Sequence, residues 1–420
     1  MQKEFLFSSV INSMNAGNKG WVKKLADAAL MTLFIGFLLW ILFPVGVKAA
    51  SPEVAGWVPW WTEEDGLEEV IDNMEDIDII YPFIYEIEGG GDIKAKVDIE
   101  DGVWEDLLEE AEDERVEIIP TIAWFNGEGI HAVLSDKKQR RQLVKDIEDL
   151  VDDNNFDGIN IDFEEKWAET KDYYSLFLEE LKDELGRDEL TCTVEARMEP
   201  DHRWRPDAMP AEIKYANDFK EINKHCDWVE LMTYDQQRAD LYYNDLRKGL
   251  PYNPVADIDW VEHVLELALE DIDEDKIMLG IPTYGRAYDV TVAPEWYRDY
   301  TRVASVDHSR AVELADDIYN VPIGRTDGGE AIITYFPEDS VWKIFNALPT
   351  PEGTPAGYEA AAKALLVATL AKVELPVRML TWGDAKAAED KWDLAKEYDL
   401  KGVAFFKFDG EEDEDIWDIF

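Results

Sequence analysis

From Ser51 onward the chain alternates short apolar runs with longer stretches in which apolar residues recur every three or four positions. Runs of the first kind read as strands and those of the second as amphipathic helices. Eight strands are predicted: Val54–Trp60, Ile79–Tyr85, Val116–Trp124, Phe156–Glu164, Thr191–Arg197, Trp228–Asp235, Ile277–Tyr284 and Gly402–Phe408. Helical periodicity falls between them, for example over Lys138–Val151 and Tyr173–Leu185. Eight strand–helix units predict a parallel sheet closed into an α/β (β/α)8 barrel, in which functional groups gather at the C-terminal strand ends. Pro120 implies an irregular centre for the third strand, and Gly89-Gly90-Gly91 a flexible loop after the second. The interval between strands seven and eight is too long for one helix. Within it, Arg310–Tyr319 reads as helix, Ala331–Phe336 as strand and Tyr358–Val373 as helix; Val377–Trp382 and a helix near Asp384–Tyr398 lead back to the barrel.

Composition narrows the function. An apolar fraction of 46% with 16 Trp supplies a large core and excludes global disorder. The net charge is −52. The first 50 residues hold five Lys and two acids, so the rest carries 36 basic and 91 acidic residues, a net −55. Such a surface repels nucleic acid and anionic membranes, and no nucleic-acid partner is expected. It also suits life in high salt, although Lys still outnumbers Arg. Cys192 and Cys226 are too few for a disulfide framework and read as small buried apolar residues, a single bridge being possible but unsupported by the sequence. The five histidines show no metal-ligand spacing, so no metal and no cofactor is expected.

Lys23 and Lys24 precede an uncharged, mostly apolar run, Ala28–Val47, followed by Val47-Lys48-Ala49. Residues 1–50 therefore read as a hydrophobic targeting helix. It is either a signal peptide cleaved after Ala49 or an anchor through residues 28–47, since the run is long enough to span a bilayer. Residues 51–420 are expected to be secreted, or held at the outer face of the cytoplasmic membrane, and to act as a monomer.

The fourth strand carries the chemistry. In Phe156-Asp157-Gly158-Ile159-Asn160-Ile161-Asp162-Phe163-Glu164, polar and apolar residues alternate, so Asn160, Asp162 and Glu164 share one face. Two neighbouring carboxylates repel, which raises the pKa of at least one and suits it to act as a general acid. The bland reading is a solvated edge strand in an acidic chain.

These nine residues resemble the DGxDxDxE signature of glycoside hydrolase family 18, the chitinase-like enzymes, with Asn160 where most members have Asp. The resemblance implies that Glu164 is the proton donor and Asp162 orients the substrate's acetamido group. Leu231-Met232-Thr233-Tyr234-Asp235 is similar to the family's Met-x-Tyr-Asp ending of strand six. This implies Tyr234 as donor to the acetamido carbonyl, Asp235 on sugar hydroxyls and Met232 beneath the acetamido methyl. Gly280-Ile281-Pro282-Thr283-Tyr284-Gly285-Arg286 is similar to the G-x-P-x-Y-G segment and adds Tyr284 and Arg286 as subsite residues. The end of strand two, with Tyr85, also resembles bacterial members. Phe406 stands where the family usually has a Trp flooring the sugar, and offers less stacking area.

The resemblance spans Val54 to the C-terminus and makes Val303–Glu338 a small α+β insertion walling the cleft. It implies retaining hydrolysis assisted by the substrate's own acetamido group, a polysaccharide of N-acetylated sugars as partner, and no cofactor. Spore-cortex peptidoglycan hydrolases in the family share N-I-D-F-E, so Asn160 tilts the substrate toward peptidoglycan-type glycans. Trp57, Trp60, Trp61, Trp124, Trp167 and Trp382 fall near strand ends, where aromatic faces stack on sugars; singly, each reads better as core. Glu195 and Arg197 read as subsite groups or a local ion pair. The alternative is an inactive carbohydrate-binding relative, but such proteins lose the residue matching Glu164, which this chain keeps.

Overall fold

The computed structural model describes residues 51–420 apart from 100–101, 241–248 and 295. The targeting helix predicted for residues 1–50 lies outside the described residues, and among those described no helix is long and apolar enough to cross a membrane.

Eight parallel strand positions close into a barrel. They are β1 (Glu53–Pro59), β2 (Ile79–Glu88), the split pair β4 (Glu117–Ile118) and β5 (Thr121–Trp124), β6 (Gly158–Phe163), β7 (Glu189–Glu195), β8 (Trp228–Met232), β9 (Ile277–Pro282) and β15 (Gly402–Phe406). β1 closes the ring by pairing with both β2 and β15. The third strand breaks at Ile119-Pro120, because proline has no N–H to give the ladder. The Pro120 carbonyl still accepts from the Asn160 N–H at 2.9 Å. The three glycines after β2 are ordered as the turn of a hairpin to β3 (Asp92–Ala95), with Gly89 and Gly91 at positive φ.

Alternation sorts the side chains. Ile159, Ile161 and Phe163 of β6 face the surrounding helices, where Phe163 stacks on Phe177 of the helix Lys171–Leu185 at 5.5 Å. Inside the barrel lie Ala55, Trp57, Tyr81, Phe83, Trp228 and Ala404, with a polar set at their centre. Each buried Leu, Ile, Val or Phe of the outer layer contributes about 1.5–3 kcal/mol by leaving water.

The insertion is larger than predicted. A five-stranded antiparallel sheet is built from β10 (Tyr284–Ala293), β11 (Trp296–Asp307), β12 (Gly324–Arg325), β13 (Ala331–Tyr335) and β14 (Leu375–Trp382), in the order β11-β10-β14-β13-β12. It therefore runs from Tyr284 to Trp382 rather than over Val303–Glu338. The predicted seventh strand had absorbed the first residue of β10, since nothing in the local pattern marks the change of sheet at Thr283. The helix Glu359–Ala371 covers the sheet with its Ala360, Ala361, Ala364 and Ala368 face.

The two cysteines are buried as expected, and the single bridge that the sequence left possible is formed. Cys192 on β7 and Cys226 just before β8 form a disulfide across neighbouring strand entries, and both are buried. Only the pairing of β7 with β8 brings them together, across 34 positions of sequence.

Candidate active site

At the C-terminal strand ends lies an open cavity of about 490 Å³. Nine of the residues singled out from sequence line it together: Trp57, Asp162, Glu164, Met232, Tyr234, Asp235, Tyr284, Arg286 and Phe406. They arrive from β1, β6, β8, β9–β10 and β15, so tertiary closure alone makes them neighbours.

Asp162 is the last inward side chain of β6, and Glu164 follows immediately, its N–H bonded to the Trp124 carbonyl at 3.0 Å. Burial first, then the Glu164 charge, pushes the Asp162 carboxyl well above the usual range. Burial, then Glu195, raises Glu164 to about 7, while nearby Lys166 opposes the shift. Glu164 can therefore hold a proton near neutrality and also give it up. Asp162 Oδ1 is buried without a hydrogen-bond partner. Such an atom costs about 1–3 kcal/mol, which a ligand donor entering the cavity would recover.

Tyr234 is half-buried on the cavity wall, and its phenol is held well above its ordinary pKa, by desolvation first, so it remains a donor. Its ring stacks near Phe406 at 5.9 Å, and Phe406 meets Trp57 edge-on at 5.8 Å. Asp235 takes a left-handed conformation, φ 57°, as does Glu165, φ 58°. Non-glycine residues hold this region only where surroundings impose it, and such positions concentrate at functional sites. Arg286 holds the Asp235 carboxylate through contacts of 2.8 and 3.1 Å to its two oxygens, and Tyr284 Oη adds one at 3.3 Å. Gly280 allows the close approach beneath, since a Cβ there would meet Leu231 O at 2.5 Å and the Tyr234 ring at 3.0 Å.

Two predicted contacts are corrected. Asn160 lies two residues below Asp162, roughly 7 Å deeper along the strand, and is fully buried. Its Oδ1 accepts from Thr121 and Thr193 at 3.0 Å each, and its Nδ2 donates to Thr191 at 2.7 Å and Glu230 at 2.8 Å. All four hydrogen bonds of the amide are used, and none is left for a sugar. Glu230 also accepts from the Tyr81 hydroxyl at 2.7 Å, and burial raises its carboxyl to about 7. Tyr85 fails for a different reason. A register shift between Phe83 and Tyr85 bulges β2, so Tyr85 turns outward with Ile84 and packs near Phe156 at 6.5 Å. Phe83 takes the cavity position instead.

Sequence reasoning missed Phe83, Phe125, Thr193, Arg203, Arg238, Ser305, Asp307 and Lys407 on the cavity wall. Phe125 and Lys407 directly follow strand ends and could have been found by that rule; Ser305 and Asp307 come from the insertion, with no local signal. Glu195 lines the cavity, accepts from Asn217 Nδ2 at 2.7 Å and lies 3.9 Å from Lys166. Arg197 points elsewhere, its guanidinium over Phe219 at 3.6 Å. Of the six tryptophans, Trp57, Trp124 and Trp382 are core, whereas Trp60, Trp61 and Trp167 are exposed.

The family model for glycosyl hydrolases family 18 matches residues 104–411. The chain belongs to glycosyl hydrolase family 18. The matched residues take in the Asn160–Glu164 run of β6 and the Leu231–Asp235 run at the end of β8. YdhD of Bacillus subtilis (strain 168), named as a sporulation-specific glycosylase, is 29% identical over 205 residues, 48% of this chain and 43% of that protein. The chain thus spans less than half the length of the curated relatives it matches. The spore cortex-lytic enzyme SleL of Bacillus cereus superposes with a TM-score of 0.63 at 19% identity, over 89% of this chain and 74% of that one. A chitinase of Chromobacterium violaceum gives 0.62 at 19% identity, over 88% and 97%. At these identities the two structures speak for the barrel fold.

Proposed function

We propose that this family 18 protein is an exported glycoside hydrolase that cleaves β-1,4 bonds next to N-acetylglucosamine, with peptidoglycan-type glycan as its natural substrate. The observation that carries this reading is the meeting of Glu164, Asp162 and Tyr234 at one open cavity, with Glu164 raised to about 7 and Asp162 Oδ1 unpartnered. Ordinary retaining glycosidases need a second carboxylate as nucleophile, and substrate-assisted families replace it with the substrate's acetamido oxygen. Here Glu164 protonates the glycosidic oxygen as the C1–O bond breaks and the acetamido oxygen bonds to C1. Water then attacks C1, the bond between C1 and the acetamido oxygen breaks and returns its electron pair to the acetamido group, and Glu164 takes the water's proton. Asp162 accepts the acetamido N–H, and Tyr234 donates to its carbonyl. Holding that group against C1 makes the step intramolecular, an advantage that reaches about 7–11 kcal/mol for ideal alignment.

Peptidoglycan as substrate is supported by the N-I-D-F-E run at residues 160–164 and by the sporulation and cortex-lytic names among the relatives. Export is supported by the buried Cys192–Cys226 bridge, since structural disulfides belong to oxidising compartments, and by the basic-then-apolar N-terminal sequence. The test is hydrolysis of chito-oligosaccharides and purified peptidoglycan by the protein and by Glu164→Gln, with the product anomer read by NMR. Turnover should fall by about 10²-fold or more, the scale of a lost general acid–base, while substrate binding persists and the native protein yields the retained anomer. Equal turnover by the two proteins, or inversion, rejects the mechanism.

A further inference from the structure

We propose that Glu199, His202 and His263 form a binding site for one divalent transition-metal ion, of the zinc or cobalt class, that braces the wall of the cleft. Glu199 directly precedes the helical turn Pro200–Arg203, and His202 lies three residues on, within that turn. The turn is closed by the His202 N–H on the Glu199 carbonyl at 3.0 Å. His263 comes from a different element, the helix Ile258–Ala268. One ligand atom from each residue lies within 4.8 Å of the other two. Glu199 Oε2 stands 2.7 Å from His263 Nε2, and the two imidazole rings lie near parallel at 5.5 Å. Ligand atoms around one zinc ion stand roughly 3.3 Å apart, given bonds of about 2.0–2.1 Å. The 2.7 Å contact and the 4.8 Å limit of the set bracket that value.

A further observation points the same way. Asp240 is fully buried, and its Oδ2 lies 3.2 Å from His202 Nδ1. A buried carboxylate bonded to one ring nitrogen orients the imidazole, the kind of support found behind metal-binding histidines. Two imidazoles with one carboxylate suit zinc, cobalt or iron, whereas calcium and magnesium prefer all-oxygen sets. This distinguishes the site from the acidic surface, which attracts any cation. The ion would tie the segment after β7 to the helix before β9. Arg203, next to His202, lines the cleft, so the brace acts on the cavity wall and takes no part in the bond-breaking steps.

Chelator-treated protein should bind one Co²⁺ or Zn²⁺ per chain by calorimetry in excess Mg²⁺ and high salt, with a Co²⁺ visible spectrum of low coordination number. His202→Gln and His263→Gln should each weaken binding by an order of magnitude or more, and Asp240→Asn by about 10–100-fold with every ligand still present. Circular dichroism checks that each variant folds. Should the variants misfold, the wild-type protein still decides, because bound Zn²⁺ must shift the His202 and His263 ring resonances together. The proposal is overturned if folded protein binds neither ion above the Mg²⁺ background, if both histidine variants bind unchanged, or if those resonances stay put. Because the readout is binding, failure here leaves the hydrolase reading untouched.

Discussion

Glu164 links its own environment to two measurable pH effects. Its folded pKa, about 7, lies above the ordinary glutamate value of 4.5 because burial and Glu195 disfavour the charge. The acid must be protonated to act, so kcat/KM should fall on an alkaline limb centred near 7. An alkaline limb absent up to pH 9 would reject Glu164 as the acid. Stability follows the same sign. The folded state keeps a proton that the unfolded chain releases above its own pKa, so this contribution is complete below about 4.5 and is lost as pH rises through about 7. Asn160 invites a second test. Asn160→Asp would set a carboxylate oxygen against Glu230, now 2.8 Å from Nδ2. We expect a loss of about 1–3 kcal/mol above pH 7, shrinking in acid as the pair shares a proton; denaturant melts at pH 5 and 8 measure it. The deep carboxylate in this barrel comes from residue 230 of β8, and no motif on β6 could have announced it.

Strands and their joints carry the next level. The parity rule placed Asp162 correctly because β6 is regular, whereas Tyr85, named from the resemblance of strand two to the family, turns outward because one bulge in β2 reverses parity beyond it. A bulge is set by what the strand pairs with, and is not written in the strand's own sequence. The insertion shows the same limit: its helices and β13 were legible from periodicity, whereas the sheet that gathers β10 with β14 is a long-range pairing. The Cys192–Cys226 bridge joins two such elements, closing a loop of 34 positions. A crosslink of that span constrains the unfolded chain by about 3–4 kcal/mol. Reduction, or Cys192→Ala with Cys226→Ala, should lower stability by that order in equilibrium unfolding. An unchanged midpoint would mean the bridge contributes nothing.

Across the molecule, charge dominates. A net −55 on residues 51–420 makes self-repulsion a standing cost on the compact state. The Debye length shrinks from about 10 Å at 0.1 M to about 3 Å at 1 M, so added salt screens most of that repulsion. Tm should rise by several degrees over that range, and a salt-independent Tm would remove the high-salt reading. The cavity itself balances this field differently, with Arg203, Arg238, Arg286 and Lys407 facing Asp162, Glu164, Glu195, Asp235 and Asp307.

The amino-acid order alone determined the barrel and the shared face of Asp162 and Glu164 on β6, because strand period and strand-end rules are local, while Tyr234 was named by the resemblance of its strand-end motif to the family's. Tertiary structure decided which candidates meet: it buried Asn160 in a saturated network, turned Tyr85 outward, joined the cysteines and gathered Glu199, His202 and His263. Each of those outcomes depends on pairing between segments distant in sequence, where closure of the barrel, and no local propensity, sets the distance.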